Sequence, residues 1–255
     1  MSDIALQTSG LGVKYGNFHA LAEVDLQIRR NSVHSIIGPN GAGKTTLFHA
    51  LTGRVRASSG RIELDGRDIT DTSDDDRVRL GIARSFQVTS LFPNLTLREN
   101  LRLAAQGRTP WQTLAPWRRA DTNTAVLAIV DEVTERLALG AVAGRLAGEL
   151  SHGQQRRLEV GMAMAARPRV ILLDEPTSGM GIDDIEVMKQ LIRDLGGDHT
   201  VLFIEHNMGI VMNISDMVTV MRQGRKLVEG PPAQVREDPE VQRAYLGNMI
   251  TGDIA

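Results

Sequence analysis

The chain has no cysteine, which excludes disulfides, thiolate zinc sites and a cysteine nucleophile and fits a reducing compartment. It carries no large excess of either charge. Its 29 Lys and Arg against 31 Asp and Glu leave a net charge of −2, which argues against a strongly basic duplex-binding surface and against nucleic acid as a partner. Long apolar runs are missing as well. The longest span only a few residues, such as 170–173, far short of the roughly 20 that cross a bilayer as a helix. The N-terminus holds Asp3 and no basic-then-apolar signal pattern. These absences lead us to expect a soluble, cytosolic protein. A G-x-G-x-x-G fingerprint is also lacking: after Gly10 and Gly12 the third glycine position is Tyr15, which counts against a nicotinamide dehydrogenase.

What is present is 255 residues, 42% hydrophobic and 24% charged, the composition of a globular chain of one large domain or two small ones. Residues 23–29 alternate polar and apolar, with Val24, Leu26 and Ile28 on one face, as in a half-buried strand. Residues 32–37 form a second strand, and a helical pattern through Leu47 and Leu51 stops near Gly53. Residues 61–64 before Asp65-Gly66 read as one arm of a hairpin. Asp74, Asp75 and Asp76 suggest a metal cluster, but behind Thr72 and Ser73 they read better as the acidic first turn of a helix. Thr96-Leu97-Arg98-Glu99 is a capping box, after which Leu97, Leu101 and Ala105 share a face. A stretch with Pro and Trp, 109–117, breaks that helix, and a second one is expected over 122–139. Two apolar runs, 170–173 and 201–204, read as buried parallel strands. There is no internal repeat.

Gly38-Pro39-Asn40-Gly41-Ala42-Gly43-Lys44-Thr45 matches G-x-x-x-x-G-K-[ST] without a gap, a match expected by chance in about one chain in a hundred of this length. An apolar strand precedes it and a helix follows. Glycines let the backbone turn its N–H groups toward phosphate oxygens, and the helix N-terminus adds positive potential. Lys44 supplies a full charge at the β- and γ-phosphates. Thr45 is placed to offer its hydroxyl to Mg²⁺, and Thr46 continues the loop into the helix. The motif implies ATP and Mg²⁺ as cofactors.

The run Val170-Ile171-Leu172-Leu173 ends in Asp174 and Glu175. Carboxyl ends of strands line the ligand crevice of an α/β sheet, so both acids belong near the phosphates. Asp174 would hold the metal shell, and Glu175 would polarise a water for attack on the γ-phosphate. The competing reading is an acid pair capping the turn at Pro176. Further back, Leu150-Ser151-His152-Gly153-Gln154-Gln155 opens a helix carrying Leu158, Met162 and Ala165. Ser151 and Gln154 form a capping box there, and the same free amides make an anion site.

L-S-x-G-Q shortly before an apolar run and Asp-Glu resembles the signature of ABC ATPases. The resemblance covers the whole chain and implies an α/β P-loop NTPase fold in a single domain, 1–255. Residues 1–90 and 150–230 would form an N-terminal antiparallel β subdomain plus a RecA-like core. Residues 91–149 would be a helical insertion and 231–255 a C-terminal tail. It implies that Tyr15 stacks on adenine and that Gln87 touches metal or water. It further implies that His206, which alone would read as structural, contacts the γ-phosphate. Lys44, Gln87, Glu175 and His206 would then be catalytic, with Thr45, Gln87 and Asp174 on the metal. Residues Tyr15, Gly38 to Thr46, Ser151, Gly153 and Gln154 would bind nucleotide, the last three across a dimer. The other histidines, His19, His34, His49, His152 and His199, show no ligand spacing and read as ordinary.

Within that family, the chain is similar to the ATP-binding subunits of branched-chain amino acid importers. The residues that carry this are Gly81-Ile82-Ala83-Arg84-Ser85-Phe86-Gln87, Ser151-His152-Gly153-Gln154-Gln155, Ile204-Glu205-His206-Asn207-Met208 and Glu240-Val241-Gln242-Arg243-Ala244-Tyr245-Leu246-Gly247. The resemblance implies a homodimer or a heterodimer with a paralogous ATPase, two integral-membrane permease subunits as partners, and a periplasmic binding protein engaged only indirectly. It implies a peripheral place on the cytoplasmic face of the cell membrane, with Arg84 and Leu91-Phe92-Pro93 on the docking face. Importers of urea, amides or aromatic acids, a lipopolysaccharide exporter ATPase and a soluble non-transport ABC ATPase are the alternatives. A P-loop GTPase or small-molecule kinase fails on the signature and on the absent N-K-x-D. Two positions depart from the family pattern. Gly181 stands where an aspartate is common, and Gly161-Met162 replaces a frequent Ala-Arg, for which the sequence offers no physical account.

Overall fold

The computed structural model describes residues 3–85, 91–107 and 124–243, and the structural statements below concern those residues. A four-stranded antiparallel sheet has the order β2-β1-β4-β5, from β1 (Ile4–Tyr15), β2 (Phe18–Arg29), β4 (Ser59–Leu64) and β5 (Arg67–Asp68). The expected alternation in 23–29 is there: Val24, Leu26 and Ile28 are buried while Asp25, Gln27 and Arg29 face outward.

The second sheet has six strands in the order β10-β9-β3-β8-β7-β6. These are β3 (Val33–Ile37), β6 (Ile82–Arg84), β7 (Val170–Asp174), β8 (Thr200–Ile204), β9 (Met217–Arg222) and β10 (Arg225–Gly230). All pairs are parallel except β9 with β10. β3, β7 and β8 are buried at every residue, which is why their sequences run apolar without alternation. Successive side chains still feed opposite sides. Ile171, Leu173, Val201 and Phe203 enter one core, and Val170, Leu172, Leu202 and Ile204 the other.

One core is closed by the antiparallel sheet and α1 (Lys44–Leu51); helices close the other. Among those helices are α3 (Leu97–Gln106), α4 (Thr124–Arg136), α5 (His152–Ala165) and α6 (Ile182–Asp198). The capping boxes at Thr96 and Ser151 both form, and Leu97, Leu101 and Ala105 are buried as their spacing predicts. The expected start of the second helix at 122 lies outside the described residues. In α5, a Cβ on Gly161 would run into the Leu137 side chain and crowd Leu101. That close approach to the helical layer accounts for glycine where alanine is frequent.

α2 (Asp74–Leu80) starts at Ser73, whose hydroxyl accepts the Asp76 N–H at 3.2 Å. The three aspartates are thus a first turn, and no group of three or more His, Cys, Asp or Glu that could hold a metal ion occurs among the described residues. Arg77 on this helix is 2% exposed, and all five of its N–H groups are engaged. Nε donates to Thr72 Oγ1, one terminal nitrogen to the carbonyls of Ala50 and Leu51, and the other to those of Ile69 and Thr70, at 2.5–3.2 Å. The cation sits at the C-terminus of α1, where the helix dipole is negative.

His34 on β3 is a core histidine. Its Nε2 lies 2.7 Å from Thr219 Oγ1, and that hydroxyl donates to Glu229 at 2.9 Å, so Nε2 carries the ring proton. Burial, with help from the nearby Lys226 charge, lowers its pKa from 6.5 to about 3. The unfolded chain therefore binds a proton below pH 6.5 that the folded chain refuses, and stability falls as pH drops through that range. The loss is about 2 kcal/mol at pH 5. Thermal unfolding between pH 7.5 and 5 should show this loss reduced by that amount in His34→Gln. Equal losses in both proteins would place the acid sensitivity elsewhere.

Candidate nucleotide site

Parallel pairing sends the C-terminal ends of β3, β8, β7 and β6 to one edge of the sheet. The loop Gly38-Pro39-Asn40-Gly41-Ala42-Gly43 leaves β3 there and ends in α1. Gly43 has φ +97°, and a Cβ on it would press on the Ala20 carbonyl and the Leu21 side chain. Only glycine meets both demands. No side chain caps α1, so its first amides, at Lys44, Thr45 and Thr46, lack intrahelical partners and can serve an anion. Lys44 is buried and donates to the carbonyls of Gly38 at 2.7 Å and Pro39 at 3.0 Å. Desolvation holds its ammonium below the usual lysine range, opposed by the charges of Glu175 and Asp174. Thr45 is exposed and Thr46 half-buried.

β7 delivers the two acids differently. Asp174, 2% exposed, remains in the strand. Glu175 takes a left-handed φ of +47°, a conformation costing a non-glycine residue about 1–3 kcal/mol and typical of functional turns. Its N–H donates to Ile204 O at 3.0 Å, and its Oε1 meets His206 Nε2 at 2.7 Å. The candidate base and the candidate switch histidine, 31 residues apart, thus form a direct, partly exposed pair.

Sequence reasoning missed what holds that pair. Glu205 is 4% exposed. One carboxylate oxygen accepts from the Thr177 N–H at 3.2 Å and from the Thr177 hydroxyl. The other accepts from the N–H of His206 at 3.0 Å and of Asn207 at 3.5 Å. A single buried acid ties the turn after Glu175 to the turn carrying His206. The available signal was a glutamate directly after an all-apolar strand, a place where a buried acid must find donors.

Arg84 corrects an expectation. Its side chain is only 7% exposed and pairs with Asp174 Oδ2 at 2.7 Å, so it forms the floor of a groove beside Phe92 and does not project. Phe92 does project, at 50% exposure. His152, read as ordinary, lies 3.3 Å from the Ser178 carbonyl and links the start of α5 to the turn after β7.

The structure thus brings Lys44, Asp174, Glu175 and His206 to one edge. Ser151, Gly153 and Gln154 lie at the start of α5, with Gly153 against Asp184 of α6. Tyr15, half exposed at the end of β1, faces Phe18 across the hairpin. Gly181 leaves α6 without a side-chain cap. Gln87 and residues 244–247 lie outside the described residues.

For a metal, the donors are hard oxygens. Asp174 Oδ1 is buried without a hydrogen-bond partner, and with the Thr45 hydroxyl at the same sheet edge this set suits Mg²⁺ rather than a soft metal.

The profile of the ABC transporter family matches residues 21–178, spanning the loop, the Ser151 helix and both acids. The chain belongs to that family. It is therefore an ABC ATPase, with the P-loop ABC ATPase fold. A second profile, the branched-chain amino acid ATP-binding cassette transporter, matches residues 225–249. The high-affinity branched-chain amino acid transport ATP-binding protein BraF of Pseudomonas aeruginosa is 40% identical, over 97% of this chain and 99% of its own. A crystal structure of the ADP conformation of an ABC transporter cassette is 31% identical with TM-score 0.84, covering 96% of this chain and 100% of its own. A dimeric cassette in a post-hydrolysis state with ADP and Pi is 25% identical with TM-score 0.73, covering 89% and 98%.

Glu205→Gln puts an amide where N–H donors converge. ATP hydrolysis should fall by about 10²-fold, the scale of an ångström-sized misplacement at a reacting centre. ATP affinity should stay near wild type, because the Lys44 loop is untouched. A variant with full steady-state turnover would show that Glu205 does not position the Glu175–His206 pair.

Proposed function

We propose that this chain is the ATP-binding and hydrolysing subunit of an importer for branched-chain amino acids. Two such subunits, identical or paralogous, close on two ATP molecules, and separate membrane permeases follow that motion. The observation that carries the reading is the Glu175–His206 pair at 2.7 Å beside Lys44 and Asp174, in a chain 40% identical to a branched-chain amino acid transport subunit.

Lys44 and the amides of Gly41 to Thr46 hold the phosphates, with Lys44 exchanging the loop carbonyls for phosphate oxygens. Asp174, Thr45 and Gln87 would hold Mg²⁺, which would supply charge neutralisation at the phosphates. Glu175 draws the proton from the attacking water and His206 orients the γ-phosphate. Tyr15 stacks on the base. Ser151, Gly153 and Gln154 act on the nucleotide held by the other subunit, a reading supported by a dimeric relative bound to ADP and Pi.

The permease contact is a groove of about 450 Å³ lined by Val78, Ala83, Phe92, Ala104, Met162 and Ala166. Buried Asn100 fixes the turn that presents Phe92: its side chain bonds Phe92 N, Phe92 O, Leu95 O and Thr96 O at 2.8–3.3 Å. No helix among the described residues is long and apolar enough to cross a membrane, so the coupling runs through such a surface.

Glu175→Gln should lower hydrolysis by about 10²–10⁴-fold while keeping ATP binding. The variant should elute as a dimer with Mg-ATP and as a monomer with Mg-ADP on a sizing column, with the candidate paralogue added if it stays monomeric alone. Near-wild-type hydrolysis would remove Glu175 as the base. Tyr15→Ala should weaken ATP by about 1–3 kcal/mol with inorganic triphosphate unaffected, and equal losses for both would make Tyr15 a packing residue. Phe92→Ala should reduce membrane association and transport and leave basal ATPase intact. A matching loss of basal ATPase would assign Phe92 to the core.

A further inference from the structure

Arg84 ends β6 and reaches across to the neighbouring strand β7. One terminal nitrogen lies 2.7 Å from Asp174 Oδ2, and the Asp174 side chain is completely buried. The guanidinium stands 6.0 Å over the Phe48 ring of α1. Its Nε and other terminal nitrogen are buried with no hydrogen-bond partner, and so is Asp174 Oδ1. A buried guanidinium ordinarily fills its five donors, as Arg77 does a few residues earlier. Arg84 spends one, on a single carboxylate oxygen. The opposite oxygen, on the acid assigned above to the metal, is left free of partners.

We propose that Arg84 is a positioning residue that acts through Asp174: it anchors one oxygen, neutralises the acid before metal arrives, and sets how strongly nucleotide binding depends on Mg²⁺. The inference rests on the assignment of Asp174 to the metal. A cation drawn to Oδ1 meets a carboxylate whose charge is already shared with a guanidinium, so the two cations compete for one anion. Without metal, the Arg84 charge instead favours a polyphosphate near Asp174. A neutral side chain at 84 therefore weakens metal-free ATP and strengthens metal at the ATP complex. Both changes steepen the Mg²⁺ dependence. Arg84 also lines the floor of the groove that holds Phe92 and Met162, so the competition takes place directly beneath that surface.

The test is ATP affinity of the full chain by calorimetry, in EDTA and across a Mg²⁺ series. In Arg84→Gln the Mg²⁺ concentration for half of the affinity gain should fall about tenfold, the low end of a screened Coulomb estimate between a unit charge and a divalent cation several ångströms apart. Affinity in EDTA should fall as well. Arg84→Lys keeps the charge, the quantity on which the competition depends, and should lie closer to wild type than either neutral variant. Arg84→Met, which keeps the packing on Phe48, serves as a second neutral variant and should match Arg84→Gln. An unchanged half-point in the neutral variants overturns the proposal, as does a shift to higher Mg²⁺, which would mean that Arg84 only orients the acid. Loss of the cooperative unfolding transition in both neutral variants, with Arg84→Lys still folded, would make the pair a folding element and overturn it too. Asp174→Asn separates the two layers of the argument. If it leaves the Mg²⁺ gain intact, the metal assignment of Asp174 itself is wrong, whatever the Arg84 variants do.

Discussion

The parallel registry of β3, β8, β7 and β6 is the constraint on which the rest of this structure depends. Because these strands run the same way, the phosphate loop, Glu205-His206, Asp174-Glu175 and Arg84 leave the sheet at one edge. β8 lies between the loop strand and the acid strand, so the histidine turn is interposed between the loop and the two acids. Reversing one of these strands would carry its side chains to the opposite edge, away from the others. The registry is enforced by complete burial on both faces, where a one-residue slip would exchange the side chains feeding the two cores.

That edge is also a dense arrangement of charge. Lys44, Arg84, Asp174, Glu175, Glu205 and His206 share it, and their neighbours differ in kind. Lys44 uses backbone carbonyls of its own loop. Glu205 uses N–H groups and a hydroxyl. Asp174 has a guanidinium, and Glu175 a histidine. Glu205, buried and held from two separate turns, is built to stay. Groups held by side chains, such as Glu175, can exchange partners when phosphate enters.

Much of this was legible in the sequence because it is local. The phosphate loop is contiguous, capping boxes span four residues, and a fully buried strand announces itself as an apolar run. The placement of Asp174 and Glu175 followed from a strand ending in two acids. What was not legible involves partners far apart in the chain. Arg84 and Asp174 are 90 residues apart, and an arginine at the end of a three-residue strand reads as a surface residue until β7 is laid beside it. Glu205 was given no role of its own because its donors come partly from Thr177, 28 residues earlier. Gly161 was unexplained because the side chain occupying its missing Cβ belongs to Leu137. His152 was read alone, without the turn at Ser178 that it touches.

The fivefold clasp of Arg77 has a mechanical consequence. It grips the last carbonyls of the helix that begins at Lys44 and, through the same plane of atoms, those at Ile69 and Thr70. The helix carrying Arg77 also contributes Val78 to the wall of the apolar groove. The phosphate-binding helix and that wall are thereby bolted into a single lever with no compliant joint between them. A force applied at the groove reaches the loop without slack, and no other natural side chain has a planar fork of five donors with which to make the bolt.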